Sequence, residues 1–94
     1  MKTTVHPNIP EFYDVGQNEA VVTKRPNELR TDGMTTCSAL VVIDEENQML
    51  AHVDAGTNAH DLARFVRENF SIDNTQTKFY LIPGDGSLGS LEDG

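Results

Sequence analysis

Two residues of this 94-residue chain could do nucleophilic chemistry together: its single cysteine, Cys37, and His52. A free thiol has a pKa of about 8.5 and is mostly protonated at neutral pH, whereas the thiolate is the nucleophile. An adjacent imidazole can take the thiol proton and leave a thiolate–imidazolium pair. A third group must hold the ring so that one nitrogen faces the sulfur, and Thr31 and Asp54 are the two candidates. Backbone amides in the tight approach from Gly33 to Cys37 could stabilise a developing oxyanion.

A β-hairpin would place Cys37 and His52 on neighbouring strands. Residues 37–43 (CSALVVI) are β-branched and apolar on both faces, which favours a buried central strand. Residues 44–47 (DEEN) form a polar turn, and residues 48–54 (QMLAHVD) return as a second strand. The pattern therefore predicts a hairpin that carries the thiol on one strand and the imidazole on the other.

The register of this hairpin predicts which side chains share a face. With a four-residue turn over 44–47, Ala39 lies opposite His52, and Asp54 lies opposite Cys37. Opposite residues share a face, so Cys37, His52 and Asp54 point to the same side. Cys37 and His52 are then diagonal neighbours, about 5–8 Å apart at Cα. A one-residue slip would put the thiol and the imidazole on opposite faces.

The rest of the chain predicts a small α+β domain. Residues 59–70 have apolar side chains at helical spacing, after an N-cap signal at 56–58. The length allows a single domain over residues 1–94, in which this helix covers one face of a small antiparallel sheet or sandwich. The remaining predicted segments are an extended or looped arm at 1–18, strands at 19–24 and 77–82, and a flexible acidic tail at 84–94.

Charge and hydropathy exclude several classes of partner. Seven Lys and Arg stand against 15 Asp and Glu, a formal net charge of −8, whereas nucleic-acid binding requires a basic face. The longest apolar run, 39–43, is far too short to span a bilayer, and the N-terminus has no apolar run of signal-peptide length. Scattered histidines and one cysteine predict no metal site. We expect no nucleic acid, membrane or cofactor, and a cytoplasmic protein, with delivery into another cell as an effector left open.

The residues around the cysteine resemble the cysteine-dependent protein deamidases. These enzymes include the bacterial chemoreceptor glutamine deamidase, the catalytic domains of cytotoxic necrotizing factors, and the protein N-terminal asparagine amidohydrolase. In that superfamily a cysteine begins a buried strand, a histidine lies on the next strand, and a threonine precedes the cysteine by six positions. Thr31, Cys37 and His52 occupy those places here. The resemblance is carried by residues 19–31 (EAVVTKRPNELRT), 35–44 (TTCSALVVID) and 50–54 (LAHVD).

The resemblance implies a deamidase-like fold and a thioester mechanism. Cys37 would attack the side-chain amide of a Gln or Asn in a protein substrate, and His52 would move the proton. Thr31 would orient His52, with Asp54 as the competing orienter. The amides of Thr36 and Cys37 would hold the oxyanion. No metal or cofactor is implied, and the charge of −8 favours a substrate with a basic surface.

Two other classes of function fit the same residues. A lone cysteine in an apolar strand is usually a small buried hydrophobe, and the chain would then be a noncatalytic acidic module that binds another protein. A cysteine peptidase or a transglutaminase-like enzyme would share the nucleophile and the base with a deamidase. The sequence does not distinguish the three, and it makes no prediction of oligomeric state.

Overall fold

The computed structural model describes residues 1–9, 11–33 and 36–84, and this part of the chain contains seven strands and one helix. The α+β class and the single helix of the sequence prediction are confirmed. In chain order the elements are β1 (Lys2–Val5), β2 (Phe12–Asp14), β3 (Glu19–Lys24), β4 (Glu28–Arg30), β5 (Ser38–Ile43), β6 (Asn47–Val53), α1 (Ala59–Asn69) and β7 (Lys78–Pro83).

Five strands form one mixed sheet in the order β1-β3-β6-β5-β7, and β2 and β4 form a separate two-stranded parallel sheet. Within the large sheet β1 runs parallel to β3, and the other neighbours are antiparallel. The prediction of an antiparallel sheet is therefore wrong for β1. The connection between β1 and β3, residues 6–18, has the dozen or more residues that a parallel crossover needs.

Residues 1–18, predicted as an extended or looped arm, contribute two strands. The Lys2 N–H bonds the Asn18 carbonyl and the His6 N–H bonds the Val22 carbonyl, which fixes β1 on the edge of the large sheet. These strands have four and three residues, too few for a periodic pattern to reveal them. Of the predicted acidic tail, only Gly84 lies within the described residues.

The large sheet buries a different apolar cluster on each face. The helix α1 begins at an N-cap, Asn58, whose side chain accepts bonds from the backbone N–H groups of His60 and Asp61, and it covers one face. The β2–β4 sheet packs on the other face through Tyr13 and Leu29. The helix-side cluster consists of Ala20, Val22, Val42, Met49, Ala51, Leu62, Phe65, Val66 and Phe70. The opposite cluster consists of Val15, Val21, Ala39 and Leu50.

The β5–β6 hairpin has the register that the sequence predicted. Ile43 pairs with Gln48, and Ala39 pairs with His52. The turn is fixed by Asp44, whose side chain accepts bonds from the backbone N–H groups of the two residues that precede Gln48. The strand β6 is therefore central, with β3 on one side and β5 on the other.

The single helix of the described residues, α1, has 11 residues. In this part of the chain, no helix has the length and apolar character needed to cross a membrane.

Candidate active site

His52 lies near the end of β6, in the middle of the sheet, and is 1% exposed. Side chains alternate along a strand, so His52 shares its face with Leu50, while Met49 and Ala51 pack toward α1. The imidazole therefore lies on the face that the β2–β4 sheet covers. A buried ring in this position needs polar partners, and the structure supplies one.

Thr31, the residue after β4, fixes the imidazole. Its Oγ1 lies 2.8 Å from Nδ1 of His52 and 2.8 Å from the carbonyl oxygen of Val15. A hydroxyl has one proton to donate, and a carbonyl oxygen can only accept. Thr31 therefore donates to Val15 and accepts from the Nδ1–H of His52. In the neutral ring this leaves Nε2 without a proton, with its lone pair available.

The Nε2 atom of His52 is buried and has no hydrogen-bond partner among the described residues. An unpaired buried polar atom costs about 1–3 kcal/mol, so native proteins seldom keep one without a reason. A base that must accept a proton from a reacting group is such a reason, since a structural hydrogen bond at Nε2 would block it. One nitrogen of the ring is thus held, and the other is open to chemistry.

Cys37 immediately precedes β5 and is buried, with 8% of its surface exposed. It lies two residues before Ala39, the direct partner of His52. If the ladder of β5 is extended by one residue to Cys37, this diagonal relation corresponds to about 7–8 Å between Cα atoms, a gap that the two side chains can span. The preceding residue, Thr36, is exposed, so the chain passes from solvent into the core at the thiol. The predicted strand 37–43 begins one residue later in the structure, at Ser38, so Cys37 lies just before the strand and its placement beside the imidazole stays a prediction.

Asp54, the competing orienter, is not brought to the imidazole. Its Oδ1 accepts from the backbone N–H of Gly56 at 2.8 Å and from the hydroxyl of Thr57 at 3.3 Å. β6 ends at Val53, so the alternation used to place Asp54 on the face of His52 stops one residue too early. Asp54 shapes the turn between β6 and α1, and the ring nitrogen is bonded by Thr31 instead.

Glu19 is a neighbour of His52 that the sequence analysis missed. It pairs directly with His52 across β3 and β6 and is 7% exposed. Its carboxylate accepts bonds from the Tyr13 hydroxyl at 3.0 Å and the Gly16 N–H at 2.8 Å, and Lys2 Nζ lies 3.9 Å away. The hydrogen bond to Glu19 raises the pKa of Tyr13 above its usual 10.0. An acidic residue directly before the apolar run 20–22 is the sequence signal that could have found it.

The pairing of Glu19 with His52 puts a carboxylate on the face of the sheet that carries the imidazole. Directly opposite residues have Cβ atoms about 4.5–5.5 Å apart and project to the same face. The site thus combines a fixed imidazole with a buried anion beside it.

A pocket of about 130 Å³ lies at the other end of β5, lined by Asp44, Glu45, Glu46 and Asn74. It is separate from Cys37, which lies at the start of the same strand. The described residues contain no group of three or more His, Cys, Asp or Glu side chains that could hold a metal ion.

The bond to Thr31 predicts the tautomer of His52. Long-range proton–nitrogen NMR correlations of the neutral ring should show Nδ1 protonated and Nε2 bare. Thr31→Ser keeps the hydroxyl and should keep this tautomer, whereas Thr31→Val removes the acceptor and should allow the other one. A wild-type ring with its proton on Nε2 would contradict the assignment.

No protein-family model matches the sequence, and comparisons with curated proteins and with solved structures gave no match either. The resemblance to the deamidases therefore depends on Thr31, Cys37 and His52 and on the residues that surround them.

Proposed function

We propose that the protein is a cysteine hydrolase that deamidates a Gln or Asn side chain of a protein substrate. The observation that carries the proposal is the state of His52, whose Nδ1 is held by Thr31 while its buried Nε2 has no partner among the described residues. This is the arrangement that a general base for a thiol needs. The deamidase resemblance of Thr31, Cys37 and His52 selects amide hydrolysis among thiol chemistries.

The reaction begins at the thiol. Nε2 of His52 takes the proton from Sγ of Cys37, and the sulfur attacks the carboxamide carbon. As the C–S bond forms, the carbonyl electrons move to oxygen, and backbone amides at Thr36 and Cys37 are the donors assigned to this oxyanion. The intermediate collapses as the C–N bond breaks, and His52 gives its proton to the leaving nitrogen, which departs as ammonia.

Water completes the cycle. His52 again accepts a proton, now from the water that attacks the thioester carbon, and the C–S bond breaks. The proton returns to the sulfur, and the product side chain is a carboxylic acid, Glu from Gln or Asp from Asn. The balance is one amide and one water converted to one carboxylic acid and one ammonia. No group outside the protein, the substrate and water takes part.

Glu19 assists without touching the substrate. The ring of His52 is positive between the two proton transfers, and the carboxylate of Glu19 lies opposite it in the register. The attraction between these opposite charges would stabilise the positive ring, reduced by screening from solvent and from Lys2. Glu19 therefore acts through His52, by stabilising the positive charge of its ring, and does not contact the substrate. Its bonds from Tyr13 and Gly16 hold the carboxylate in place.

Ammonia release tests the proposed function. The wild-type protein, incubated with candidate protein substrates, should release ammonia and add about one dalton to the substrate for each converted amide, whereas Cys37→Ala should release none. Thr31→Val should lower the rate by about 10²-fold, because the base loses its orientation, and Thr31→Ser should recover most of it. His60→Ala, which alters an exposed histidine on α1, is the matched control and should behave as wild type.

The outcomes separate the other functions. Equal ammonia in wild type and Cys37→Ala would refute the deamidase and favour the noncatalytic module. Cleaved fragments in the mass spectrum would assign a cysteine peptidase. Release of ammonia together with a covalent bond between two proteins would assign a transglutaminase-like enzyme.

Glu19 should control how readily Cys37 is alkylated. Cys37 is the single cysteine of the chain, so iodoacetamide labelling reports on it alone. Glu19→Gln removes the negative charge and should slow labelling at about pH 6 by about tenfold, the equivalent of 1.4 kcal/mol. Glu11→Gln removes an exposed charge elsewhere and serves as the control. Equal labelling rates in Glu19→Gln and Glu11→Gln would contradict an effect of the Glu19 charge on the thiol.

A further inference from the structure

The strand β7 presents an unusual surface. Four consecutive side chains are apolar and exposed: Phe79 48%, Tyr80 51%, Leu81 68% and Ile82 47%. β7 is an edge of the large sheet, and no strand among the described residues pairs with its outer side. Soluble proteins usually protect such an edge with charges, bulges or a covering element, because it can pair with another chain. We propose that this edge binds an extended segment of the protein substrate, an inference that rests on the proposed function.

The backbone of β7 is oriented for such pairing. In antiparallel sheets, residues bonded to one neighbour alternate with residues that face the other neighbour. The Asp44 N–H bonds the Asn47 carbonyl, so the even-numbered residues of β5 face β6 and the odd-numbered ones face β7. The register of β5 with β7 then directs the backbone polar groups of Phe79, Leu81 and Pro83 toward the outer edge of the sheet. The outer edge offers three carbonyls and the N–H groups of Phe79 and Leu81.

Pro83 agrees with this orientation. Proline lacks an N–H and is tolerated in a strand where that group would face away from the ladder. At position 83 the missing donor falls on the outer edge, so the ladder between β5 and β7 loses no bond. A docking segment can therefore accept hydrogen bonds from the N–H groups of Phe79 and Leu81, and β7 offers it no N–H at Pro83.

β7 connects two chemically distinct ends of the sheet. Lys78 pairs with Ile43, the residue before the acidic turn at 44–46, and Pro83 pairs with Ser38, the residue after Cys37. The six residues of β7 span about 17 Å. A segment that lies along this edge therefore runs from the end of the sheet that carries the acidic turn to the end that carries Cys37.

Charge decides the occupant. The acidic turn and the net charge of −8 favour a segment with Lys or Arg at the end of the sheet that carries residues 44–46. A second copy of this chain would bring the same negative charge to the interface and be repelled. The apolar side chains on both faces of β7 favour β-branched or aromatic residues in the segment. The substrate class is thus an extended apolar stretch with basic residues at one end.

The geometry also places the reactive amide. A segment paired with β7 lies two strands from β5, about 9–10 Å from the line of Cys37. A Gln side chain places its amide carbon only about 4–5 Å from its own Cα. In a segment antiparallel to β7, the amide that reacts must therefore come from residues that precede the paired stretch and lie beyond Pro83, where the substrate chain can turn over the end of the sheet toward Cys37.

Binding to the Cys37→Ala protein tests the docking edge without chemistry. The probe is a fluorescein-labelled synthetic peptide with a glutamine between glycines, then six alternating valines and threonines, then two lysines, which suits antiparallel pairing. Leu81→Pro removes a central outward N–H and should weaken binding at least tenfold in fluorescence anisotropy. A peptide with glutamates in place of the lysines should bind at least tenfold more weakly. Circular dichroism and thermal melts confirm that each variant is folded.

The matched control lies on the opposite edge of the sheet. Lys2 and His6 direct their N–H groups to β3, so the N–H of Thr3 faces outward on β1 as that of Leu81 does on β7. Thr3→Pro should leave peptide binding unchanged. Equal binding by Leu81→Pro and its parent, or an equal loss in Thr3→Pro, would overturn the docking edge. A wild-type dimer in sedimentation that Leu81→Pro dissociates would overturn it too, and assign β7 to a second copy.

Activity separates the two proposals. If the wild-type protein binds the peptide through β7 but releases no ammonia from any substrate, the deamidase fails and the docking edge stands. If it releases ammonia from a protein substrate and Leu81→Pro has the same kcat/KM, the docking edge fails and the deamidase stands. A rise in KM of tenfold or more with kcat unchanged is the result we expect for Leu81→Pro.

Discussion

The single proton of the Thr31 hydroxyl is the constraint on which the site depends. That proton is committed to the carbonyl of Val15, so the oxygen can only accept from His52. The neutral imidazole therefore carries its proton on Nδ1, and Nε2 is unprotonated. Three separate segments meet in this contact: the loop after β2, the residue after β4, and the central strand β6. The small β2–β4 sheet, whose strands have only three residues each, brings Val15 and Thr31 to the ring.

The large sheet supplies the rest by dividing its two faces. The helix α1 buries its apolar stripe against one face and provides much of the core. The other face is left for His52 and Glu19, under the thinner cover of β2 and β4. A chain of this length can bury only a limited apolar area, so its second covering layer is small. The face with the lighter cover is also the one where a polar site disturbs the packing least, since the described members of the helix-side cluster are all apolar.

The parts of the fold that follow from side-chain alternation could be predicted from the sequence. The β5–β6 register came from the polar turn at 44–47 and placed Ala39 opposite His52, as observed. Alternation failed at Asp54, because β6 ends at Val53 and the next residues turn toward α1. The choice between Thr31 and Asp54 needed the position of Val15, which is distant in sequence from both.

Long-range pairing was the part that could not be predicted. Nothing local in Lys2–Val5 indicates a parallel strand beside β3, because its partners are selected by the crossover rather than by its own residues. Glu19 was missed for a related reason: its importance comes from a partner on β6, 33 positions later in the numbering. The exposed apolar run of β7 reads in the sequence as an ordinary buried strand, and only the sheet order shows that it lies at an edge.

The thiolate absorbance of Cys37 tests the central claim most directly. A thiolate absorbs in the far ultraviolet where a thiol does not, and Cys37→Ser provides the blank for a chain with one cysteine. We predict that the wild-type difference spectrum at about pH 6 shows thiolate, and that His52→Ala abolishes it at that pH, because the imidazole holds the proton. Thiolate absorbance that appears only at alkaline pH, with the same profile in wild type and His52→Ala, would contradict a Cys37–His52 catalytic pair.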